Sequence, residues 1–304
     1  MRIVFIGVVE FSRHCLYETL KNGGNVVAVL TLSKELAKFH SDYADLCDVA
    51  AQYGIPVYKI DKRISHSEIV ELIRSLKPDV IFVFGWSQII SKDILSIPPL
   101  GCIGSHPTLL PRNRGRHPLV WTLVEGLEES GLTFFYLDEG VDSGDILWQK
   151  RFRITLEDDA RSLYEKVKEL ASEAIQEFLP QLEQGIAPRT PQDHSQATYW
   201  RKRTEKDGEI DWGSPTIKIY NLVRALARPY VGAHTYLGGQ KVIVWRAQLP
   251  QAPLPTEVQN LEAGTVFSIA GTKLDVRTGD GHLTVLEYEC LAGGAINSGA
   301  ILGT

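Results

Sequence analysis

The chain predicts an α/β fold, a mostly parallel sheet with crossover helices, followed by a small separate β unit. Three observations carry this. Short apolar runs alternate with helix-like stretches as far as His106. One run, Asp79-Val80-Ile81-Phe82-Val83-Phe84, is nearly unbroken, as a strand covered on both faces requires. After residue 207 the alternation gives way to short strands separated by Gly-containing turns.

Taken in order, Arg2 to Ile6 reads as a buried strand, and Gly7 as the turn into a helix from about Phe11 to Leu20. Asn25 to Leu30 is a second apolar run. Ser41 to Tyr53 has a helical pattern, and Ile55 to Tyr58 reads as a short strand. Ser65-His66-Ser67-Glu68 opens a helix that continues through Ser75. Gly101 to Ser105 is one more strand, so the β-α-β-α-β rhythm implies right-handed crossovers. Gly131 to Leu137 and Ile146 to Ile154 then read as adjacent strands joined through an acidic loop. Thr155-Leu156-Glu157-Asp158 resembles a helix start. Leu163, Val167, Leu170, Ala174 and Phe178 recur at the spacing of a core-facing helix stripe.

Pro180 to about Lys206 is polar and Pro-interrupted and reads as a linker. Beyond it come a helix near Thr216 to Ala227 and strands at His234–Tyr236, Lys241–Trp245, Gly264–Ser268, Lys273–Arg277 and Leu283–Tyr288. The expected domains are therefore 1–180, a linker 181–206, and a β-barrel over 207–304.

Composition narrows the class. Of the 304 residues, 44% are hydrophobic and 23% charged, which suits a folded core. The net charge of −5 shows no global basic excess of the kind a nucleic-acid grip uses. The four cysteines, Cys15, Cys47, Cys102 and Cys290, show no paired spacing. That argues against a structural zinc site or a disulfide framework and fits a reducing, cytoplasmic setting. The opening apolar run is short and ends at Glu10, so a strand is the better reading than a signal peptide. No stretch approaches the roughly 20 apolar residues that cross a bilayer.

The chemistry concentrates in two loops. His106 follows an apolar strand at the carboxyl edge of the sheet, where α/β proteins bind ligands. An unperturbed imidazole titrates near about 6.5, so it can take a proton at neutral pH. Asp142 lies in the loop Asp138-Glu139-Gly140-Val141-Asp142-Ser143-Gly144. Beside His106 it would stabilise an imidazolium. Arg112, Arg114 and Arg116 alternate after Pro111, either as a clamp for phosphate or carboxylate or as a solvated turn. The glycine fingerprint G-x-G-x-x-G is absent, since the chain continues Gly7-Val8-Val9-Glu10-Phe11-Ser12. A nicotinamide oxidoreductase is therefore poorly supported.

These motifs resemble the 10-formyltetrahydrofolate-dependent formyltransferases. The resemblance rests on Met1-Arg2-Ile3-Val4-Phe5-Ile6-Gly7, on His106-Pro107-Thr108-Leu109-Leu110-Pro111 with Arg114-Gly115, Pro118 and Trp121, and on the loop from Asp138 to Ile146. Asp207-Gly208-Glu209-Ile210-Asp211-Trp212, Arg224-Ala225, Gly232-Ala233-His234-Thr235 and Thr278-Gly279-Asp280-Gly281 resemble the barrel appended to the methionyl-tRNA and aminoarabinose formyltransferases. The resemblance implies a Rossmann-like first domain, an OB-like second one, and formyl transfer from N10 of the folate to a primary amine without a metal. It implies that His106 and Asp142 are catalytic. It also implies that folate lies against Gly85, Trp86, Ser87, Gln88, Ile89 and Ile90, and against Leu137, Asp138, Glu139, Gly140 and Val141. The family's Asn two residues before the His is here Gly104, which has no amide to offer an oxyanion. Ser105, Asn113 or a water molecule are the candidate substitutes, Ser105 lying one residue off.

The acceptor is read from charge. Residues 201–304 carry 11 Lys and Arg against 10 Asp and Glu, unlike a tRNA-binding surface. Residues 34–46 look more like sugar-nucleotide N-formyltransferases than like the tRNA enzyme. The expected substrate is an amino-sugar nucleotide of surface-glycan synthesis, with no nucleic-acid or membrane partner and a homodimer as one arrangement. Arg112, Arg114 and Arg116 are candidates for its pyrophosphate, and Tyr43, Trp86 and Trp121 for stacking. A methionyl-tRNA formyltransferase and a non-catalytic folate- or nucleotide-binding homologue are the other readings.

Overall fold

The computed structural model describes residues 1–37 and 41–304. The chain forms two compact units. The first comprises Met1–Pro118, Glu129–Arg153 and Tyr164–Trp200; the second comprises Leu119–Glu128, Ile154–Leu163 and Arg201–Thr304. The units interleave along the sequence.

In chain order the elements are β1 (Ile3–Ile6), α1 (Glu10–Lys21), β2 (Val26–Leu32), α2 (Lys34–Ala37), α3 (Cys47–Gln52) and β3 (Val57–Ile60). They continue with α4 (Ser67–Ser75), β4 (Val80–Val83), α5 (Lys92–Leu95), β5 (Cys102–His106), β6 (Arg114–Gly115) and α6 (Pro118–Val124). β7 (Glu129–Tyr136), β8 (Ile146–Arg153), α7 (Ala160–Glu183) and β9 (Tyr199–Trp200) follow.

Seven strands form one sheet in the order β3-β2-β1-β4-β5-β7-β8. β1 to β5 run parallel, whereas β5–β7 and β7–β8 pair antiparallel. The order reverses between β1 and β4, which opens a crevice at the carboxyl ends of the strands. β4 is buried throughout, as its unbroken apolar run predicts. Phe82 and Phe134 pack against Phe178 of α7 at centroid separations of 5.9 and 5.1 Å, and Phe84 packs on Phe134 at 5.0 Å. Each such burial is worth about 1.5–3 kcal/mol. Leu163, Val167, Leu170, Ala174 and Phe178 are all buried, as the stripe requires.

Three local expectations are corrected. The helix expected over Ser41 to Tyr53 is confined to Cys47–Gln52, because Glu10 N–H donates to the Asp42 carbonyl and Ala44 N–H to that of Val8. Thr155 to Asp158 forms a turn ahead of α7, closed by Thr155 N–H on the Asp158 carboxylate at 2.8 Å. Pro180 does not stop α7, which runs to Glu183. It takes one backbone N–H out of the ladder, and the helix continues past it only to Glu183.

The polar stretch after α7 is also more ordered than a connector. Ile146 and Thr190 exchange both backbone hydrogen bonds, at 2.8 and 3.0 Å, and β9 pairs parallel with β6.

The second unit carries α8 (Thr216–Leu226), then β10 (Ala233–Leu237), β11 (Gln240–Gln248), β12 (Val266–Ala270), β13 (Lys273–Arg277) and β14 (His282–Cys290). They form an antiparallel sheet in the order β10-β11-β14-β13-β12. α8 begins without a cap of its own; Asp280 supplies one, its carboxylate accepting from Thr216 N–H at 2.8 Å. That bond holds the Asp280 carboxyl below its usual range. Arg224, buried on α8, donates to the carbonyls of Thr155 at 2.7 Å and Asp158 at 2.9 Å. This ties residues 154–163 into the second unit.

Among the described residues no helix is long and apolar enough to cross a membrane. The cysteines are free. Burial pushes the Cys102 thiol up to about 12 and raises that of Cys15 strongly. Both therefore stay protonated at neutral pH, and the thiol form is not the nucleophile. Iodoacetamide with peptide mass mapping is expected to leave Cys15 and Cys102 unmodified in the native protein and to label them after unfolding.

Candidate active site

The site starts from the alternation of β5. Successive side chains of a strand point to opposite faces. Gly104 and His106 therefore share one face and Ser105 takes the other. Ser105 pairs with Phe134, which packs under α7, whereas Gly104 pairs with Phe135 and His106 with Thr133. Ser105 therefore faces away from His106. A Cβ on Gly104 would sit 2.5 Å from Leu137 Cδ2 and 3.3 Å from Phe135 Cζ, so Leu137 fills the notch beside His106.

The His106 side chain is only 5% exposed, and its Nδ1 lies 3.6 Å from Asp142 Oδ2. Its Nε2 lies 2.7 Å from the Asn113 carbonyl. A carbonyl only accepts, so Nε2 carries the hydrogen and Nδ1 is the nitrogen that can take a proton. The spacing to Asp142 is longer than a hydrogen bond, as catalytic pairs without substrate often are. Asp142 holds a left-handed backbone, φ 49°, which Asp tolerates better than most residues. Its Oδ2 also accepts from Gly115 N–H at 2.8 Å. The other loop acids are committed elsewhere. Asp138 Oδ1 accepts from Gly140 N–H at 3.0 Å and Ser143 Oγ at 2.7 Å, and Glu139 pairs with Lys92 at 2.8 Å.

Of the loop residues expected to hold folate, Ile90 is buried and Trp86 packs on the same apolar cluster. The Trp86 indole N–H is buried without a partner among the described residues. Gln88 Oε1 accepts from Ile64 N–H at 2.9 Å, and Ser87 O from Arg116 Nη1 at 3.0 Å. Ile89 is 89% exposed, and Val141 and Gly140 are exposed as well. Leu137 N–H donates to Cys102 O at 2.7 Å, which anchors its loop to the start of β5.

The arginine cluster divides. Arg112 and Arg116 are exposed, but Arg114 is 1% exposed. It donates to Tyr199 Oη at 2.9 Å, Gln192 Oε1 at 2.7 Å and His194 Nδ1 at 3.1 Å. Its place in a pyrophosphate clamp is therefore withdrawn; its alternation with two surface arginines carried no sign of these partners. Trp121 belongs to the second unit. Its indole N–H donates to Arg201 O at 2.9 Å, and the Arg203 guanidinium lies 4.6 Å from its ring centre. That ring is already covered. Tyr43 is half-buried, bridges to Val9, and has its hydroxyl pKa raised by burial. Residues 38–40 of the segment 34–46 lie outside the described residues. Sequence reasoning missed Gln192, His194 and Tyr199. No three His, Cys, Asp or Glu side chains converge as a metal site among the described residues.

A seven-stranded sheet whose carboxyl edge pairs a buried His with a loop Asp is the frame of a group-transfer enzyme. Family comparison gives the group: residues 1–179 match the formyl transferase model and residues 202–301 its C-terminal domain. The chain belongs to the formyl transferase family, whose members move a formyl group. Several solved structures share the fold. HypX from Aquifex aeolicus, in complex with tetrahydrofolic acid, is 20% identical over 96% of this chain with a TM-score of 0.70. This chain spans only 44% of the length of HypX. An N-formyltransferase from Helicobacter canadensis, in complex with folinic acid and dTDP-3-aminofucose, is 16% identical over 94% of this chain and 99% of its own, with a TM-score of 0.69. Methionyl-tRNA formyltransferase from Clostridium thermocellum is 21% identical over 82% of this chain and 94% of its own, with a TM-score of 0.58.

Proposed function

We propose that the protein transfers a formyl group from 10-formyltetrahydrofolate to the primary amine of an amino-sugar nucleotide. The observation that carries the transfer chemistry is the pair of buried His106, at the end of β5, and half-buried Asp142, in the loop after β7, with Nδ1 to Oδ2 at 3.6 Å. The co-substrate supplies an activated formyl carbon: the amine nitrogen bonds to it, the bond to N10 breaks, and the proton the amine loses balances the one N10 gains. His106 takes the amine's proton at Nδ1, and Asp142 holds the positive charge that results. Residues 85–90 and 137–141 would hold the folate. The orphaned Trp86 indole N–H and the exposed faces of Ile89 and Val141 suit a partly apolar ring system with polar edges.

The sugar nucleotide is favoured over tRNA by the charge balance of residues 201–304, 11 basic against 10 acidic. Arg112 and Arg116 are the exposed cations available to its pyrophosphate. A second reading, a folate-binding homologue without transfer activity, is favoured by Gly104 and by the Leu137 side chain that fills its place.

The test incubates the protein and 10-formyltetrahydrofolate with 3- and 4-amino-sugar nucleotides, and with methionyl-tRNA in parallel. The readouts are tetrahydrofolate release and the mass of the acceptor. One formyl group gained on a sugar nucleotide is the expected result. Gain on methionyl-tRNA alone overturns the substrate, and bound folate with no gain on any acceptor turns the reading to the second.

A further inference from the structure

Residues 189–200, polar and at first sight a connector, touch Asp142 directly and reach His106 through Asn113. On the Asp142 side, Thr190 pairs with Ile146 through two backbone hydrogen bonds, and Gln192 Nε2 donates to the carbonyls of Asp142 at 3.0 Å and Gly144 at 2.6 Å. On the His106 side, Thr198 O accepts from Arg114 N–H at 2.9 Å. Thr198 Oγ1 accepts from Asn113 N–H at 2.8 Å and donates to Asn113 Oδ1 at 3.0 Å. Asn113 is the residue whose carbonyl holds His106 Nε2.

Gln192 joins the two sides. It is 6% exposed, and its Oε1 accepts from Arg114 Nη2 at 2.7 Å. A buried amide must spend its hydrogen bonds, and this one spends them all on the two site loops. The segment is also pressed close. A Cβ on Gly115, φ +107°, would lie 2.3 Å from Trp200 O, so only glycine admits β9 beside β6. Gly115 N–H is in turn the donor to Asp142 Oδ2.

We propose that residues 189–200 act as a positioning strap and that Gln192 sets Asp142 against His106. The proposal rests on the formyl-transfer reading above. Gln192 touches no reacting atom; it acts through the backbone of Asp142. Displacing a catalytic group by about 1 Å costs on the order of 10²-fold in rate.

Two variants separate the strap's parts. Gln192→Met removes the donors and the acceptor. Gln192→Glu keeps an acceptor for Arg114 but turns the donors to Asp142 and Gly144 into a carboxylate oxygen that repels both carbonyls, so it retains the hold on Arg114 while pushing the Asp142 loop away. Both are expected to lower kcat by about 10²-fold while KM for folate and acceptor stays within about twofold. In an Asp142→Ala background the same changes are expected to add less than about twofold, because the residue they position is gone. Losses that multiply in that background, or that fall on KM, overturn the proposal. A readout independent of turnover is the imidazole 15N spectrum of His106. The Nδ1 resonance is expected to move in Gln192→Met toward its position in Asp142→Asn. An unmoved resonance overturns the proposal even if the protein proves to transfer formyl to none of the acceptors tested. That latter result alone counts against the functional reading, not against the strap.

Discussion

His106→Ala is expected to lower kcat for formyl transfer by about 10²–10⁴-fold, the range for removing a positioned general acid–base group. The fold should survive the change. His106 ends β5, and its backbone pairing with Thr133 does not depend on the ring. What is lost is the one ring nitrogen free to take a proton, since Nε2 is committed to Asn113 O at 2.7 Å. Asp142→Asn should lose less than His106→Ala. The amide keeps an oxygen for Gly115 N–H, now 2.8 Å away, yet removes the charge that steadies a protonated ring. Steady-state rates for the two variants, with folate binding measured separately by fluorescence quenching, give the comparison. A His106→Ala protein that binds folate and turns over at the wild-type rate would remove the imidazole from the mechanism.

The opposite sign is expected at Gly104. Placing an amide on the face of β5 that carries His106 supplies a donor for a developing oxyanion, worth about 2.7–4 kcal/mol or 10²–10³ in kcat. Gly104→Asn alone is not the right test. Its Cβ would lie 2.5 Å from Leu137 Cδ2, and the Leu137 side chain must first give way. The pair Gly104→Asn with Leu137→Ala clears the notch. That double variant is expected to outpace the wild type by about 10²-fold or more, whereas Leu137→Ala alone should not. A double variant no faster than the parent would mean that another donor already serves the oxyanion.

Much of the first unit was legible in the sequence because each strand of a parallel sheet is written locally. The run from Asp79 to Phe84 announced β4, and the Leu163-to-Phe178 stripe announced α7, without knowledge of partners. His106 and Asp142 were legible for a related reason: each sits where an apolar strand gives way to a loop. Their partners were not. Gln192 reaches Arg114 across 78 positions, and Thr198 reaches Asn113 across 85. No period or cap signals such a pairing. Polar composition has two causes, solvation and internal hydrogen bonding, and residues 189–200 owe theirs to the second. Arg114 was misread in the same way. A guanidinium in an Arg-rich run looks solvated until the chain that buries it is known. That Ser105 faces away from His106 was legible too, since strand alternation alone dictates it.

The interleaving of the two units also orders events during synthesis. Residues 119–128 and 154–163 leave the ribosome well before residues 201–304, with which they form one compact body. Until Arg224 has been made, the carbonyls of Thr155 and Asp158 lack the donor that later holds both of them. These two stretches of the early chain therefore wait, solvated, for the late chain to arrive. A nascent or truncated product that stops short of α8 carries these stretches without their body, open to proteases and to wrong partners.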